Sequence, residues 1–227
     1  MTQKIEADKK IESGVFDKYT KKTIYKLQSK GYFDTLDFPV STGKEADVYR
    51  GTTRDDENVA VKIYRIETTR FKKKKKYLVH DPRFEEVKSS RRGIIKQWCK
   101  KEYRNLRDAR EAGVRCPKPI KAINNVLVME YIGKEDGSPA PLLKDAKIEE
   151  PKKIIEKLKE YLDLLYEEAG LVHSDFSEFN ILIQNQEPVI IDMGQAVSKK
   201  HPKAEEFLQR DLKNLKKISN QRKFKQD

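Results

Sequence analysis

Nothing constrains this chain more than the ten residues from Leu171 to Asn180, LVHSDFSEFN, read together with Asp192 in the IIDMG run behind them. An apolar lead-in delivers His173 and Asp175, and Asn180 follows five residues after that Asp. One carboxylate and one amide thus stand on a short loop ahead of a strand. Phosphoryl-transfer sites use this spacing. The Asp accepts or orients the proton of an attacking hydroxyl, the Asn reaches a metal ion, and a second Asp after the next hairpin holds metal between the β- and γ-phosphates. Asp192 stands where that second Asp belongs. HxD or a single Asn recurs by chance, whereas HxDxxxxN followed by a β-rich run ending in D-x-G is a far rarer coincidence.

Groups that grip a triphosphate are sought upstream. In FPVSTGKEADVYRGTT, Ser41, Thr42, Gly43 and Lys44 offer backbone N–H groups, hydroxyls and one ammonium within a tight turn between strands. Gly43 permits close backbone approach to an anion. The turn is not a Walker A motif, because Phe38 and Glu45 occupy the places of its first Gly and its Ser or Thr, and no GxGxxG is present. In ENVAVKIYR, Val59, Val61 and Ile63 alternate with Ala60, Lys62 and Tyr64, the period of a strand. Lys62, 19 residues beyond Gly43, is similar to the strand lysine that grips the α- and β-phosphates. Such a lysine is fixed by a glutamate on the following helix. Ile94, Ile95, Trp98, Tyr103, Leu106 and Ala109 give a helix its period up to Gly113, and Glu102 in KEYRNL is the expected partner.

The remaining segments are read by the same periodicities. A helix over 16–30, closed by Gly31, is expected to pack against its own lobe and to carry no chemistry. Residues 65–91, with five consecutive lysines at 72–76, read as a mobile insertion. The lysine run is either solvated or in contact with a phosphate backbone, and Ser89 and Ser90 are candidate autophosphorylation sites. Strands near 120–123 and 126–131 meet at an Asn124-Asn125 turn. The second supplies a linker where backbone atoms of Glu130 and Ile132 can pair with an adenine edge, with Met129 at the back of that pocket. Pro151 opens a core helix with Ile154, Ile155, Leu158, Leu162 and Leu165, and a last helix fits HPKAEEFLQRDLKNLKKIS ahead of a basic tail.

Composition narrows the setting. Lys and Arg number 49 against 37 Asp and Glu, a net charge of +12 that favours polyanions, nucleic acid first among them. High Lys with high Glu also describes a surface covered in ion pairs. Only 37% of residues are hydrophobic, and no apolar run approaches the roughly 18–20 residues that span a bilayer. The beginning, MTQKIEADKK, does not read as a secretory signal. Cys99 and Cys116 lack the spacing of a metal knuckle or a disulfide framework, so a reducing cytoplasm and no membrane are expected.

Phosphate turn, strand lysine, helix glutamate, linker strand, HxDxxxxN and D-x-G follow the order of the protein-kinase-like fold. STGKEADVY, VAVKIYR, KEYRNL, LVHSDFSEFN and IDMGQAV together resemble the RIO family of atypical serine kinases, and STGKEA and IDMGQAV resemble its type-one subgroup. The resemblance covers approximately residues 15–218. It implies an α+β, two-lobed fold: a β-rich N-terminal lobe over 1–132 and a mainly helical, reduced C-terminal lobe over 133–227. It implies ATP with Mg²⁺ or Mn²⁺, and a role in maturing the small ribosomal subunit, hence pre-ribosomal RNA as a partner of a monomer or weak oligomer. No winged-helix extension ahead of the core is expected. By resemblance Ser41, Gly43 and Lys44 contact phosphate, Lys62 is held by Glu102, Asp175 orients the nucleophile, and Asn180 and Asp192 hold metal. Members also hydrolyse ATP with the metal-binding Asp as phosphate acceptor, which makes Asp192 a candidate for a transient acyl-phosphate.

Ser174 replaces the Arg that binds a phosphorylated activation segment in ordinary protein kinases, and Ser177 stands where a Lys touches the γ-phosphate. Only 35 residues follow Asp192, so an activation segment and a peptide platform are not expected. Two other readings share these residues. One is a small-molecule phosphotransferase of the same fold, which a short basic tail serves poorly; the other is an RNA-bound assembly factor in which nucleotide only switches conformation, against which the intact Lys62, Asp175, Asn180 and Asp192 stand.

Overall fold

In a computed structural model the described residues are 16–66, 77, 78, 81, 83, 90–134 and 136–221. The lysine run 72–76 and Ser89 therefore lie outside the described residues. The chain divides into two compact units that interleave along the sequence. One is drawn from Met1–Lys75, Val87–Tyr103 and Lys118–Tyr131, the other from Lys76–Glu86, Arg104–Pro117 and Ile132–Asp227.

The first unit is a helix on a sheet. Helix α1 (Lys18–Ser29) starts where the Asp17 carboxylate accepts from the N–H groups of Tyr19 at 2.8 Å and Thr20 at 3.2 Å, satisfying donors that a helix N-terminus leaves open. It ends in a Schellman turn: Gly31, at φ 75°, donates to the Gln28 carbonyl and Tyr32 to that of Leu27. Its buried residues are Thr20, Thr23, Ile24 and Leu27. Five strands, β1 (Thr35–Thr42), β2 (Ala46–Thr52), β3 (Asn58–Tyr64), β4 (Pro119–Ile123) and β5 (Val126–Glu130), pair antiparallel in the order β1-β2-β3-β5-β4. Ile24 and Leu27 of α1 share one core cluster with Val59, Val61 and Ile63 of β3 and Val126 and Val128 of β5. The period of two in β3 thereby turns Lys62 to the other face of the sheet. The turn asparagines bind α1 to the sheet, because Asn125 donates to both the Thr20 hydroxyl and the Tyr64 carbonyl at 2.9 Å.

Helix α2 (Arg91–Glu111) follows, with the Ser90 hydroxyl accepting from the Gly93 N–H at its start. Its residues up to Tyr103 belong to the first unit and those from Arg104 to the second. The second unit is mainly helical. Helix α3 (Pro151–Glu167) buries Ile154, Leu158, Tyr161, Leu162 and Leu165. Strand β6 (Leu171–Val172) pairs with β9 (Val197–Ser198), β7 (Ile181–Gln184) forms a hairpin with β8 (Glu187–Ile190), and α4 (Ala204–Ser219) closes the unit.

Four described residues of the expected mobile insertion turn out to be anchored. Tyr77 stacks on Phe207 with ring centroids 5.8 Å apart, and Leu78 is fully buried. Asp81, equally buried, accepts from the Arg83 guanidinium at 2.8 and 2.7 Å. An apolar pair and an acid inside a lysine-rich stretch were the signal: they have core to reach.

Candidate active site

In the first unit Lys62 is 7% exposed, and its ammonium donates to Glu102 Oε1 at 2.8 Å. Glu102, on the buried side of α2, is 1% exposed. Two charges are removed from water here, and their close hydrogen bond offsets that cost. The pair sets the ammonium in one place. Cys99 lies on the same helix, and burial pushes its thiol up to about 12 despite the opposing pull of Lys62 and Lys100. That thiol stays protonated.

The turn between β1 and β2 is built differently from its sequence expectation. Ser41, Thr42, Gly43 and Lys44 are all exposed, but the Gly43 N–H faces the hairpin interior, donating to the Ala46 carbonyl at 3.0 Å and to Asp47 Oδ1 at 3.3 Å. A side-chain carbon at Gly43 would stand 2.9 Å from that carbonyl, so the tight turn itself demands glycine. The outward groups are therefore the hydroxyls of Ser41 and Thr42 and the Lys44 ammonium. Asp47, nearly buried, also accepts from Arg65 Nε at 2.9 Å and Nη2 at 2.8 Å, and the Arg65 N–H donates to the Glu45 carbonyl. Asp47 thereby raises the pKa of Arg65 and ties the turn to the end of β3. At the far end of β5, Met129 is buried and the Glu130 N–H donates to the Lys118 carbonyl at 2.8 Å.

In the second unit the loop from His173 to Asn180 is held from α4. Asp211, completely buried, accepts from the Ser174 N–H at 2.7 Å and from the Phe176 N–H at 3.1 Å. Burial raises its pKa against the lowering effects of His173, those two N–H groups and Arg210. Arg210 donates to the Ser174 carbonyl, and Asn214 donates to that of Phe176 at 2.9 Å. Ser174 needs this support, since its φ of 62° is a conformation that side chains disfavour. His173 Nδ1 accepts from the Asp175 N–H at 3.3 Å, which assigns its proton to Nε2, 3.3 Å from the Ile191 carbonyl.

These anchors aim one carboxylate. Asp175 Oδ2 accepts from Gln195 Nε2 at 2.9 Å and Asn180 Nδ2 at 3.3 Å, while the same Asn180 nitrogen binds the Asp175 carbonyl at 2.8 Å. Burial pushes the Asp175 carboxyl above its ordinary range and Asp192 adds to that, while His173, Asn180 and Arg210 oppose. The Ser174 hydroxyl donates to the Gln195 carbonyl at 2.7 Å, so the two loops are stitched in both directions. Asn105, fully buried on α2, donates to the carbonyls of Met193 at 2.7 Å and Ala196 at 3.0 Å and fixes the turn after Asp192. Asp192 itself is exposed at φ 59°. Ile132, also in this unit, accepts from the Ala140 N–H at 3.1 Å.

A family model described as the RIO domain matches residues 47–226. The RIO-type serine/threonine-protein kinase Rio1 of Haloferax volcanii is 47% identical over 206 residues, covering 91% of this chain and 70% of the relative. The chain belongs to the RIO kinase family. Its likeness to Rio1 proteins places it in the type-one branch, and the human serine/threonine-protein kinase RIO1 is 38% identical over 216 residues. That match covers 93% of this chain but 38% of the human protein's length. The crystal structure of the Chaetomium thermophilum Rio2 kinase in complex with ADP/Mg²⁺ and phosphoaspartate superimposes with a TM-score of 0.67 at 22% identity, covering 88% of this chain and 59% of that one. This likeness gives the α+β, protein-kinase-like fold.

The oxygen donors of this RIO chain suit a small hard cation. Asn180 turns its nitrogen back onto Asp175, which leaves its amide oxygen as the outward group, and Asp192 presents an exposed carboxylate. Mg²⁺ and Mn²⁺ take few protein oxygens and complete their shell with phosphate and water. Among the described residues no group of three or more His, Cys, Asp or Glu is gathered. No helix among them is long and apolar enough to cross a membrane.

Sequence reasoning missed Asp211, Gln195, Asp47 and Arg65. Asp211 left a trace, since it lies four residues after Phe207 and four before Leu215, an acid on an apolar stripe. An acid there must find donors. The other three left none, because their partners are remote in sequence.

Proposed function

We propose that this chain is an ATP-dependent serine kinase that also hydrolyses ATP, and that it works in maturation of the small ribosomal subunit, in the cytoplasm and on RNA-bound particles, as a monomer or weak oligomer. The observation that carries the reading is the Asp175 carboxylate, positioned by two side-chain amides on Oδ2, with no hydrogen bond to Oδ1 among the described residues. Such a carboxylate can take the proton of a serine hydroxyl through Oδ1. The serine oxygen then bonds to the γ-phosphorus as the bond to the bridging oxygen breaks and ADP leaves. Lys62, fixed by Glu102, grips the α- and β-phosphates; Ser41, Thr42 and Lys44 contact phosphate, the Gly43 amide being engaged in the turn. Adenine is read by backbone atoms of Glu130 and Ile132, with Met129 behind. Asn180 and Asp192 would hold Mg²⁺ or Mn²⁺, which would neutralise charge on the phosphates.

For hydrolysis, a carboxylate oxygen of Asp192 attacks the γ-phosphorus and ADP departs. Water then cleaves the acyl-phosphate, returning Asp192 and inorganic phosphate. The exposure of Asp192 supports this route, as does the phosphoaspartate in the Chaetomium relative. Asp175→Ala should abolish phosphoserine formation from labelled ATP while nucleotide binding, measured by calorimetry, persists. Phosphoserine at wild-type rates would remove Asp175 from the mechanism. Ser90 is the described candidate for autophosphorylation, exposed at the start of α2, and mass spectrometry after ATP incubation tests it.

A further inference from the structure

Helix α1 has a second face that the sheet does not use. Thr20, Thr23, Ile24 and Leu27 are buried, whereas Lys18, Lys22, Lys26 and Lys30 are exposed on the opposite side at intervals of four residues, the last being the C-cap. Tyr25, 54% exposed, and Ser29 lie within the same stripe. At about 1.5 Å per residue the lysines follow one another every 6 Å or so. That step is comparable to the spacing of phosphates along an extended strand. Residues 18–33 contain no Asp or Glu, and among the described residues no ion pair reaches any of the four lysines. The acid next to them, Asp17, is engaged as the helix cap.

We infer that this face of α1 is a binding site for single-stranded RNA, with Lys18, Lys22, Lys26 and Lys30 along the phosphate backbone and the Tyr25 ring as a platform for a base. Like charges held in a row on a rigid helix repel one another, and a polyanion relieves that while releasing counterions. Basic rows interrupted by an exposed aromatic ring are how sequence-tolerant single-strand binders are built. A membrane surface fits less well, because the exposed face carries no aliphatic side chain to insert. An acidic peptide would satisfy the charges but would not need the ring. The inference rests on the proposed RNA partnership only for its choice of ligand.

The test is anisotropy of a short labelled single-stranded RNA titrated with the full chain over a range of KCl concentrations. Changing Lys18, Lys22, Lys26 and Lys30 together to Gln should flatten the slope of log K against log salt by about 3, at roughly 0.7 for each phosphate that a lysine no longer neutralises. The equal-charge control, Lys152, Lys159, Lys200 and Lys213 to Gln, should change it by less than about 1. Tyr25→Ala should weaken binding about fivefold or more with the slope unchanged. Unchanged ATP hydrolysis in the stripe variant verifies that it is folded.

Equal effects of the two quadruple variants, or no effect of Tyr25→Ala, would overturn the site while leaving RNA binding elsewhere intact. Absence of wild-type RNA binding would remove both the site and the RNA partnership, but not the kinase. Poly-glutamate or phosphatidylserine vesicles binding as tightly as RNA, and losing as much in the stripe variant, would reassign the face to an acidic protein or a membrane.

Discussion

The turn from Ser41 to Lys44 and the loop from His173 to Asn180 are both short polar connections, yet they are anchored in opposite ways. The turn lies in the open, tied back through Asp47 to an arginine whose side chain is half exposed. The loop is gripped from below by Asp211, completely buried, with Arg210 and Asn214 on the same helix. Water competes for the first set of contacts and not for the second. A turn proposed to close around a phosphate can tolerate slack, whereas a carboxylate proposed to meet one hydroxyl cannot.

Removing each anchor sharpens this contrast. Asp211→Ala should have the largest effect, because it strands two buried N–H groups at about 1–3 kcal/mol each. Denaturant unfolding should show the loss, and kcat should collapse with it. Its raised pKa adds a pH signature. The folded form holds the Asp211 proton to higher pH than the unfolded form, whose carboxyl titrates near 3.8, so this group's contribution to stability declines as pH rises from there through the folded value. A wild-type and Asp211→Asn pair with identical Tm profiles across that range would contradict it.

Gln195→Leu should come next, lowering kcat about tenfold through the loss of one charge-assisted hydrogen bond to Asp175, with the KM for ATP unchanged. Equal changes in both constants would mean that Gln195 supports the fold and not the carboxylate. Asp47→Ala should cost about 1 kcal/mol of stability and raise KM for ATP a fewfold while kcat holds. A larger fall in kcat than in affinity would break the contrast between the two regions. Smallest of all, Cys99 should resist iodoacetamide in the folded chain, and labelling before unfolding would show that its helix opens.

Much of this was legible in the sequence. The expected Lys62–Glu102 pair forms, Asp175 and Asn180 meet on one loop, and Ile24, Leu27 and the alternation in β3 dictate which way Lys62 points. What was illegible depends on tertiary partners. Asp47 meets Arg65 across 18 residues and Ser174 meets Asp211 across 37, and no local period records such pairs. Gly43 was legible as a turn glycine, but the direction of its N–H was not, since hairpin register decides it. Tyr77 and Leu78 stand out beside the lysines as an apolar pair, but the stacking partner of Tyr77, Phe207, is remote in sequence.

Ser174 closes off a route of adaptation. In ordinary protein kinases this position holds an arginine that senses a phosphate on a neighbouring segment. Here the residue has no exposure to solvent, and its N–H, carbonyl and hydroxyl are each engaged. A guanidinium placed there would have to displace Gln195 or the last helix before it met any phosphate. Lineages carrying this arrangement cannot acquire that form of control one mutation at a time.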